Sequence, residues 1–175
     1  MTDTQAILAF VSIATTLNLG LLAYFLQRSR VSTTPGDLLF PVGVQMENFT
    51  GTDRTGANID IHAGSTAFAL IFLSKGCPKC LIAAPEAASA ANRTAERGLR
   101  LWVVTADQLK AADLGQDASF ESYFLDVNRI AYGMLNPRRA SPAYIFLSAD
   151  MIVQATGFIG DADWRSLVAQ LGEPL

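Results

Sequence analysis

The sequence is short of the residues that most often build a site. It has two cysteines and one histidine in 175 residues. Two cysteines are too few for a disulfide scaffold. A zinc centre needs about four ligands, and beyond the cysteines only His62 and carboxylates remain to supply them. Charge is also scarce, at 17% of residues with a net value of -3. That leaves no basic stripe, so no nucleic-acid or polyanion partner is expected. No internal repeat and no low-complexity tract interrupts the chain.

Apolar residues, by contrast, make up 50% of the chain, and the longest uncharged run is at the start. Ala6 to Leu26 carries no charge over 21 residues. A helix of that length crosses a hydrocarbon core of about 30 Å. A cleaved signal has a shorter apolar region, about 7–15 residues, with small residues before the cut. Tyr24-Phe25-Leu26-Gln27-Arg28 offers no such site. The segment 1–30 therefore reads as an uncleaved anchor spanning about 6–26, with a buried core helix as the alternative. Ser12, Thr16 and Gly20 recur every four residues and would line one face, where a partner helix can sit. Asn18 lies near the middle of the span. Arg28 and Arg30 just beyond it favour a cytoplasmic domain by the positive-inside tendency. Past Arg30 the chain holds 11 basic and 15 acidic residues, a mildly acidic domain.

Residues 31–42, with Ser32-Thr33-Thr34-Pro35-Gly36-Asp37, read as a linker, and 43–175 as one domain. A small hairpin is expected from Met46–Phe49 and Asn58–Ile61 around a Gly51–Arg54 turn. Ala67–Leu73 is an apolar run without alternation, which suits a strand covered on both faces. An alanine-rich helix is predicted from Pro78 to about Arg97, stopping at Gly98, with Pro85 kinking it. Leu99–Thr105 is the next strand. Ala106–Ser119 is polar and ambiguous between loop and short helix. Phe120–Val127 can hold a short strand and Asn128–Leu135 a short helix. Ala143–Leu147, a Ser148–Asp150 turn and Met151–Phe158 form a hairpin. A last helix, Trp164–Leu171, follows, capped by Asp161 or Asp163 and presenting Trp164, Leu167, Val168 and Leu171 on one face. Together these elements make a layered α/β domain.

Cys77-Pro78-Lys79-Cys80 holds both thiols at the junction of a buried strand and a helix. Two cysteines at that spacing can close a disulfide with each other and pass it to another protein. A c-type haem attachment would need histidine next, and residue 81 is leucine. An inert disulfide closing so small a loop stabilises little.

With these marks the chain resembles the thioredoxin superfamily. Besides the C-x-x-C, Pro85 lies five residues after Cys80, and Ser141-Pro142 opens a strand about 60 residues later, before a hairpin and a terminal helix. The similarity runs over roughly 43–172. It implies a mixed sheet flanked by helices and a cis Pro142 facing the dithiol. The anchor and Phe72-Leu73-Ser74-Lys75-Gly76-Cys77-Pro78-Lys79-Cys80 are similar to membrane-anchored redoxins, notably the methylamine-utilisation thioredoxin-like proteins. That resemblance implies disulfide exchange with an exported client in the periplasm, such as an amine dehydrogenase subunit; the same architecture serves cytochrome c maturation. The expected localisation is thus a single-pass inner-membrane protein with a periplasmic domain, against the arginine bias.

In that frame Cys77 attacks and Cys80 resolves. The helix N-terminus favours the Cys77 thiolate, which makes the disulfide more oxidising. Lys79 either lowers the Cys77 pKa further or is simply solvated. Ser141, Pro142 and Gly76 position the client, although Ser141-Pro142 can also be a plain turn. Arg138 and Arg139 either steer an acidic client or are solvated. No cofactor and no metal are expected. The chain departs from thioredoxins in having Gly76 before the dithiol, Pro-Lys within it, and no aspartate in the Ala67–Leu73 strand to take the Cys80 proton. The alternative function is a non-catalytic docking subunit or assembly factor.

Overall fold

The structure is a computed structural model and describes residues 40–64, 66–95 and 98–172. The expected anchor, its Ser12/Thr16/Gly20 face, Arg28, Arg30 and the linker up to residue 39 lie outside the described residues. Among those described, no helix is long and apolar enough to cross a membrane.

One seven-stranded sheet organises the domain, in the order β2-β1-β5-β4-β3-β6-β7. The strands are β1 (Phe49–Asp53), β2 (Asn58–Ile61), β3 (Phe68–Phe72), β4 (Arg100–Thr105), β5 (Phe124–Asp126), β6 (Ala143–Leu147) and β7 (Val153–Phe158). The helices are α1 (Pro78–Ala95), α2 (Arg129–Leu135) and α3 (Ala162–Gly172). β4 pairs in parallel with β3 and β5, and every other pairing is antiparallel.

β3 lies inside the sheet, between β4 and β6, every residue in it is apolar, and both its faces are covered. Ala69, Ile71 and Leu73 pack into one core with the α1 alanines and Trp164 of α3. Phe68, Leu70 and Phe72 pack into the other, with Met46, Met151 and Leu135. All five β3 residues are buried. Burying a side chain such as Leu70 or Phe72 contributes about 1.5–3 kcal/mol. The alanines of α1 do a different job. Ala84, Ala87 and Ala91 are fully buried, and their small side chains let the helix backbone approach the sheet. The helix continues through Pro85, which offers no N–H to the Leu81 carbonyl. Gly98 then takes a φ of 70°, the left-handed geometry of a helix end.

Several boundaries differ from the sequence reading. The first hairpin turns at 54–57 rather than at Gly51–Arg54, and Gly51 lies within β1, opposite Ile59. A Cβ on Gly51 would come 2.6 Å from Leu125 Cγ, so the glycine is there for a close strand contact and not for a turn. Asp53 builds the turn instead, its Oδ1 accepting from the Thr55 N–H (2.9 Å) and the Ala57 N–H (3.0 Å). The ambiguous polar stretch forms two 3₁₀ segments, Ala111–Leu114 and Ala118–Tyr123. The second consumes most of the run expected to be strand, leaving β5 three residues long. The last helix starts at Ala162 and not Trp164, with Asp161 as its cap. Asp161 Oδ1 accepts from the Trp164 N–H (2.8 Å) and from the buried Tyr144 hydroxyl (3.1 Å), and Oδ2 accepts from the Phe158 N–H (2.9 Å).

One charged cluster ties the first hairpin to the rest. Arg54 Nη1 donates to Asp126 Oδ2 at 2.6 Å, Nη2 donates to the Leu109 carbonyl, and Nε lies 3.1 Å from Glu121 Oε2 as an ion-pair contact. The guanidinium also stands 4.9 Å over the Phe124 ring. Asp126 Oδ1 is buried without a hydrogen-bond partner among the described residues. Burial pushes the Asp126 carboxyl above its ordinary value, partly offset by Arg54 and reinforced by Glu121.

Candidate active site

The loop after β3 delivers the two thiols to the start of α1. Gly76, at φ 72° with open space where a Cβ would be, turns the chain into the helix. Cys77 then occupies the position just before the first helical residue, and Pro78 occupies that first position, where its missing N–H leaves no helical bond unmade. The Cys80 N–H donates to Cys77 Sγ at 3.1 Å. Cys77 is therefore the acceptor that caps the helix, a place usually taken by a serine or aspartate oxygen. Its sulfur is partly exposed, whereas Cys80, one turn later, is fully buried; both thiols are free.

The environment separates the two ionisations. Partial burial works against the Cys77 thiolate. Hydrogen bonds from the Cys80 thiol, the Cys80 N–H, the Ser141 hydroxyl and the Lys79 N–H outweigh it, so Cys77 ionises below the ordinary 9.0. Burial dominates at Cys80 and, with its hydrogen bond to Cys77 and the charge of that neighbour, raises it to about 11. The Ser74 N–H and the Ser141 hydroxyl oppose that rise without cancelling it. Lys79 thus acts on Cys77 through its backbone; its side chain is exposed.

Ser141-Pro142 faces this pair at the start of β6, and its peptide bond is cis. Ser74 Oγ donates to Ser141 Oγ at 3.0 Å, joining the loop before the thiols to the loop before the proline. The proline loop is braced from behind. Asn136, at the end of α2 and fully buried, donates through Nδ2 to the Ala140 carbonyl (2.9 Å), and its Oδ1 accepts from the Ala140 N–H (2.8 Å). Neither Ser74 nor Asn136 stood out in the sequence as a site residue. The Asn-Pro pair at a helix end was the available signal for Asn136. Ser74 had none, because its partner is 67 residues away.

A groove of about 700 Å³ runs beside the thiols, lined by Lys79, Ile82, Arg139, Ser141, Pro142 and Phe158 among others. Ile82 is 80% exposed and Phe158 is 42% exposed, an unusual share for apolar side chains. Arg139 borders the groove, and Arg138 is exposed. His62 is also exposed and sits just after β2, away from the strand-to-helix turn that carries the thiols. Among the described residues no cluster of three or more histidine, cysteine or acidic side chains is placed to hold a metal.

No family model matches the sequence, and no curated protein matches it. Solved structures do resemble it. The thioredoxin domain of a thiol-disulfide oxidoreductase from Bacteroides vulgatus superposes with a TM-score of 0.58 at 17% identity, covering 76% of this chain and 99% of that one. A thiol:disulfide interchange protein from a Bacteroides species gives 0.59 at 14% identity, covering 76% and 91%. An exposed lipoprotein thioredoxin from Streptococcus pneumoniae gives 0.52 at 17% identity, covering 73% and 100%. The chain therefore has the thioredoxin-like fold that the sequence motifs imply.

Proposed function

We propose that this chain is a membrane-anchored thiol–disulfide oxidoreductase that exchanges disulfides with exported proteins through Cys77 and Cys80. The observation that carries the reading is the convergence of a half-exposed thiol, favoured as thiolate at a helix end, with a buried second thiol and a cis Ser141-Pro142 loop beside an open apolar groove. The sulfur chemistry follows. The Cys77 thiolate attacks one sulfur of a client disulfide, the client S–S bond breaks, and the departing sulfur keeps the electron pair. Cys80 then attacks Cys77 Sγ, forming the Cys77–Cys80 bond and releasing the second client sulfur. The client is reduced by two electrons and the dithiol is oxidised by two. Run backwards, the same steps oxidise a client dithiol. Stabilising the Cys77 thiolate favours the dithiol form, which inclines the pair towards oxidising its clients.

Gly76 leaves the approach to Cys77 open, and the backbone around Ser141-Pro142 gives an extended client segment groups to pair with. The apolar side chains of the groove receive the client's own, and Lys79, Arg139 and Glu86 give its wall charges of both signs. We place the domain in the periplasm, carried by an inner-membrane helix over residues 6–26. Support comes from the uncharged 21-residue run and from the resemblance to methylamine-utilisation redoxins. One of the similar structures is named an exposed lipoprotein thioredoxin, which adds support to that placement. The clients we favour are exported proteins that need disulfides set, such as an amine dehydrogenase subunit or a cytochrome c.

Trapping tests this directly. In cells producing Cys80→Ser, the mixed disulfide at Cys77 cannot be resolved and should accumulate, releasing its partner on reduction. An exported partner supports the reading. A cytoplasmic partner removes the proposed compartment, as the Arg28 and Arg30 bias would have it. Unimpaired cellular function of both Cys77→Ser and Cys80→Ser, with nothing trapped, would leave a docking module instead.

A further inference from the structure

We propose that Asn136 is a positioning residue for client binding. Its buried amide clasps the loop before Ser141-Pro142 and holds Arg139 in a left-handed backbone conformation, so that Ser141 meets an extended client segment with its backbone groups already set. This rests on the exchange reading above and deepens it at the same site.

Residues 137–140 have little of their own to hold them. Pro137, Arg138 and Arg139 are exposed, and Ala140 is half-buried. Among the described residues, every hydrogen bond this segment makes ends on Asn136. The Arg139 N–H donates to the Asn136 carbonyl at 3.0 Å. The Ala140 N–H donates to Asn136 Oδ1 at 2.8 Å, and Asn136 Nδ2 donates to the Ala140 carbonyl at 2.9 Å. Nδ2 also donates to the Tyr132 hydroxyl oxygen at 3.4 Å, and the Asn136 N–H donates to the Tyr132 carbonyl at 2.8 Å. An amide side chain has two hydrogens and one carbonyl oxygen to place. Here each is used, on a residue with no exposed surface. The Tyr132 ring in turn stands edge-on to Phe72, with centroids 5.9 Å apart, at the end of the strand that leads to the thiols. The clasp is seated in the core, and the loop hangs from it.

Arg139 shows what the clasp achieves. Its φ is 49°. That region crowds a Cβ and is uncommon outside glycine; asparagine, aspartate and histidine are several-fold enriched there, and arginine is not among them. The bonds on either side keep the chain in it. The consequence lies at the next residues. Both backbone groups of Ala140 are taken by Asn136. Pro142 has no N–H, and its carbonyl accepts from the Ile159 N–H at 3.3 Å. Between them, the Ser141 backbone makes no hydrogen bond among the described residues. Ser141 is thus the residue here whose N–H and C=O are both open to a client, while Ser74 Oγ holds its side chain at 3.0 Å. A client that meets an ordered loop does not have to order it, and binds more tightly for that reason.

The test is reduction of insulin by the full chain, recycled with dithiothreitol, set against reaction with dithiobis(nitrobenzoate), a disulfide with no peptide segment to pair. Asn136→Ala should raise the KM for insulin about tenfold, the scale of two lost hydrogen bonds, and leave kcat within about twofold. Its rate with the small disulfide should also stay within about twofold, which reports a folded dithiol. In an Arg139→Asn background the same change should raise KM by only about threefold, because asparagine tolerates the left-handed region without support. An unchanged KM, equal slowing with the small disulfide, or a full tenfold effect in the Arg139→Asn background overturns the proposal while leaving exchange intact. The wild-type chain gives a check that needs no variant. Its Arg139 and Ala140 amides should exchange with deuterium at least about tenfold more slowly than in an unstructured chain, and exchange at the unstructured rate overturns the clasp. A wild-type chain that reduces neither probe overturns the exchange reading and the clasp together.

Discussion

The site predicts a wide split in reactivity between its two thiols, and the split has a size. Cys77 ionises below 9.0 and Cys80 near about 11, so their midpoints stand more than two pH units apart. At neutral pH the thiolate fraction of Cys77 should exceed that of Cys80 by more than about 100-fold, tenfold for each unit. Nucleophilicity returns part of this, because a thiolate from a weaker acid attacks faster with a Brønsted slope of about 0.4–0.5, or roughly eightfold over two units. Ionisation alone therefore leaves Cys77 ahead by more than about tenfold, and the complete burial of Cys80 widens the margin. The assay is alkylation of the reduced chain by iodoacetamide from pH 5 to pH 11, with each cysteine followed separately by mass spectrometry. The Cys77 rate should rise with a midpoint below 9.0, and Cys80 should stay unmodified until far more alkaline pH. Cys80→Ala supplies the control. It removes the thiol that donates to Cys77 but keeps the N–H, and should raise the Cys77 midpoint by about one unit, the worth of one hydrogen bond to a charged acceptor. A Cys77 midpoint at or above 9.0, or comparable rates at the two sulfurs, would refute the argument that the helix end and the burial gradient set this chemistry.

Two further predictions concern the frame that holds the site. A Cβ on Gly157 would lie 2.1 Å from Asp161 Oδ2, so Gly157→Ala should expel the α3 cap and leave the Tyr144 hydroxyl unpaired. The cost should be about 2–4 kcal/mol by urea unfolding, shrinking by at least about 1 kcal/mol in an Asp161→Ala background; plain additivity would contradict it. Arg54→Gln should cost about 2–4 kcal/mol at pH 7, because Asp126 and Glu121 lose their cation while partly buried. The Asp126 carboxyl is already raised in the folded state, so its protonated form is the one folding favours. Without Arg54 that preference grows, and the deficit of the variant should narrow as pH falls from 7 to 5; a deficit independent of pH would count against it.

What could be read in the sequence was whatever is decided locally. The Phe68–Phe72 run announces a strand buried on both faces because every side chain in it is apolar. The Gly after the long helix and the Pro inside it are local backbone facts, and the two thiols sit three positions apart in the chain. The misplaced turn shows the limit. Gly51 looks like a turn residue by composition, but Leu125, 74 residues further on, presses against it and requires a strand without a side chain. The short β5 fails for a similar reason, since the 3₁₀ segment at Ala118–Tyr123 owes its start to the Asp117 cap and its place to Phe120 in the core. Site residues divide the same way. Cys77, Cys80 and Ser141-Pro142 carry recognisable spacing, whereas Ser74 and Asn136 matter only through partners that folding brings to them.

Cys77 has two occupations at once. At rest its sulfur accepts the hydrogen bond that closes the first turn of α1, so the sulfur that strikes a client is also a fastening of the scaffold. Bonded to a client, that sulfur becomes a poorer acceptor, and the Cys80 amide keeps its other partner, the Cys77 carbonyl 3.0 Å away. The start of α1 therefore stays fastened through its backbone while its sulfur is engaged. The second thiol is held one turn from the captive bond it has to break.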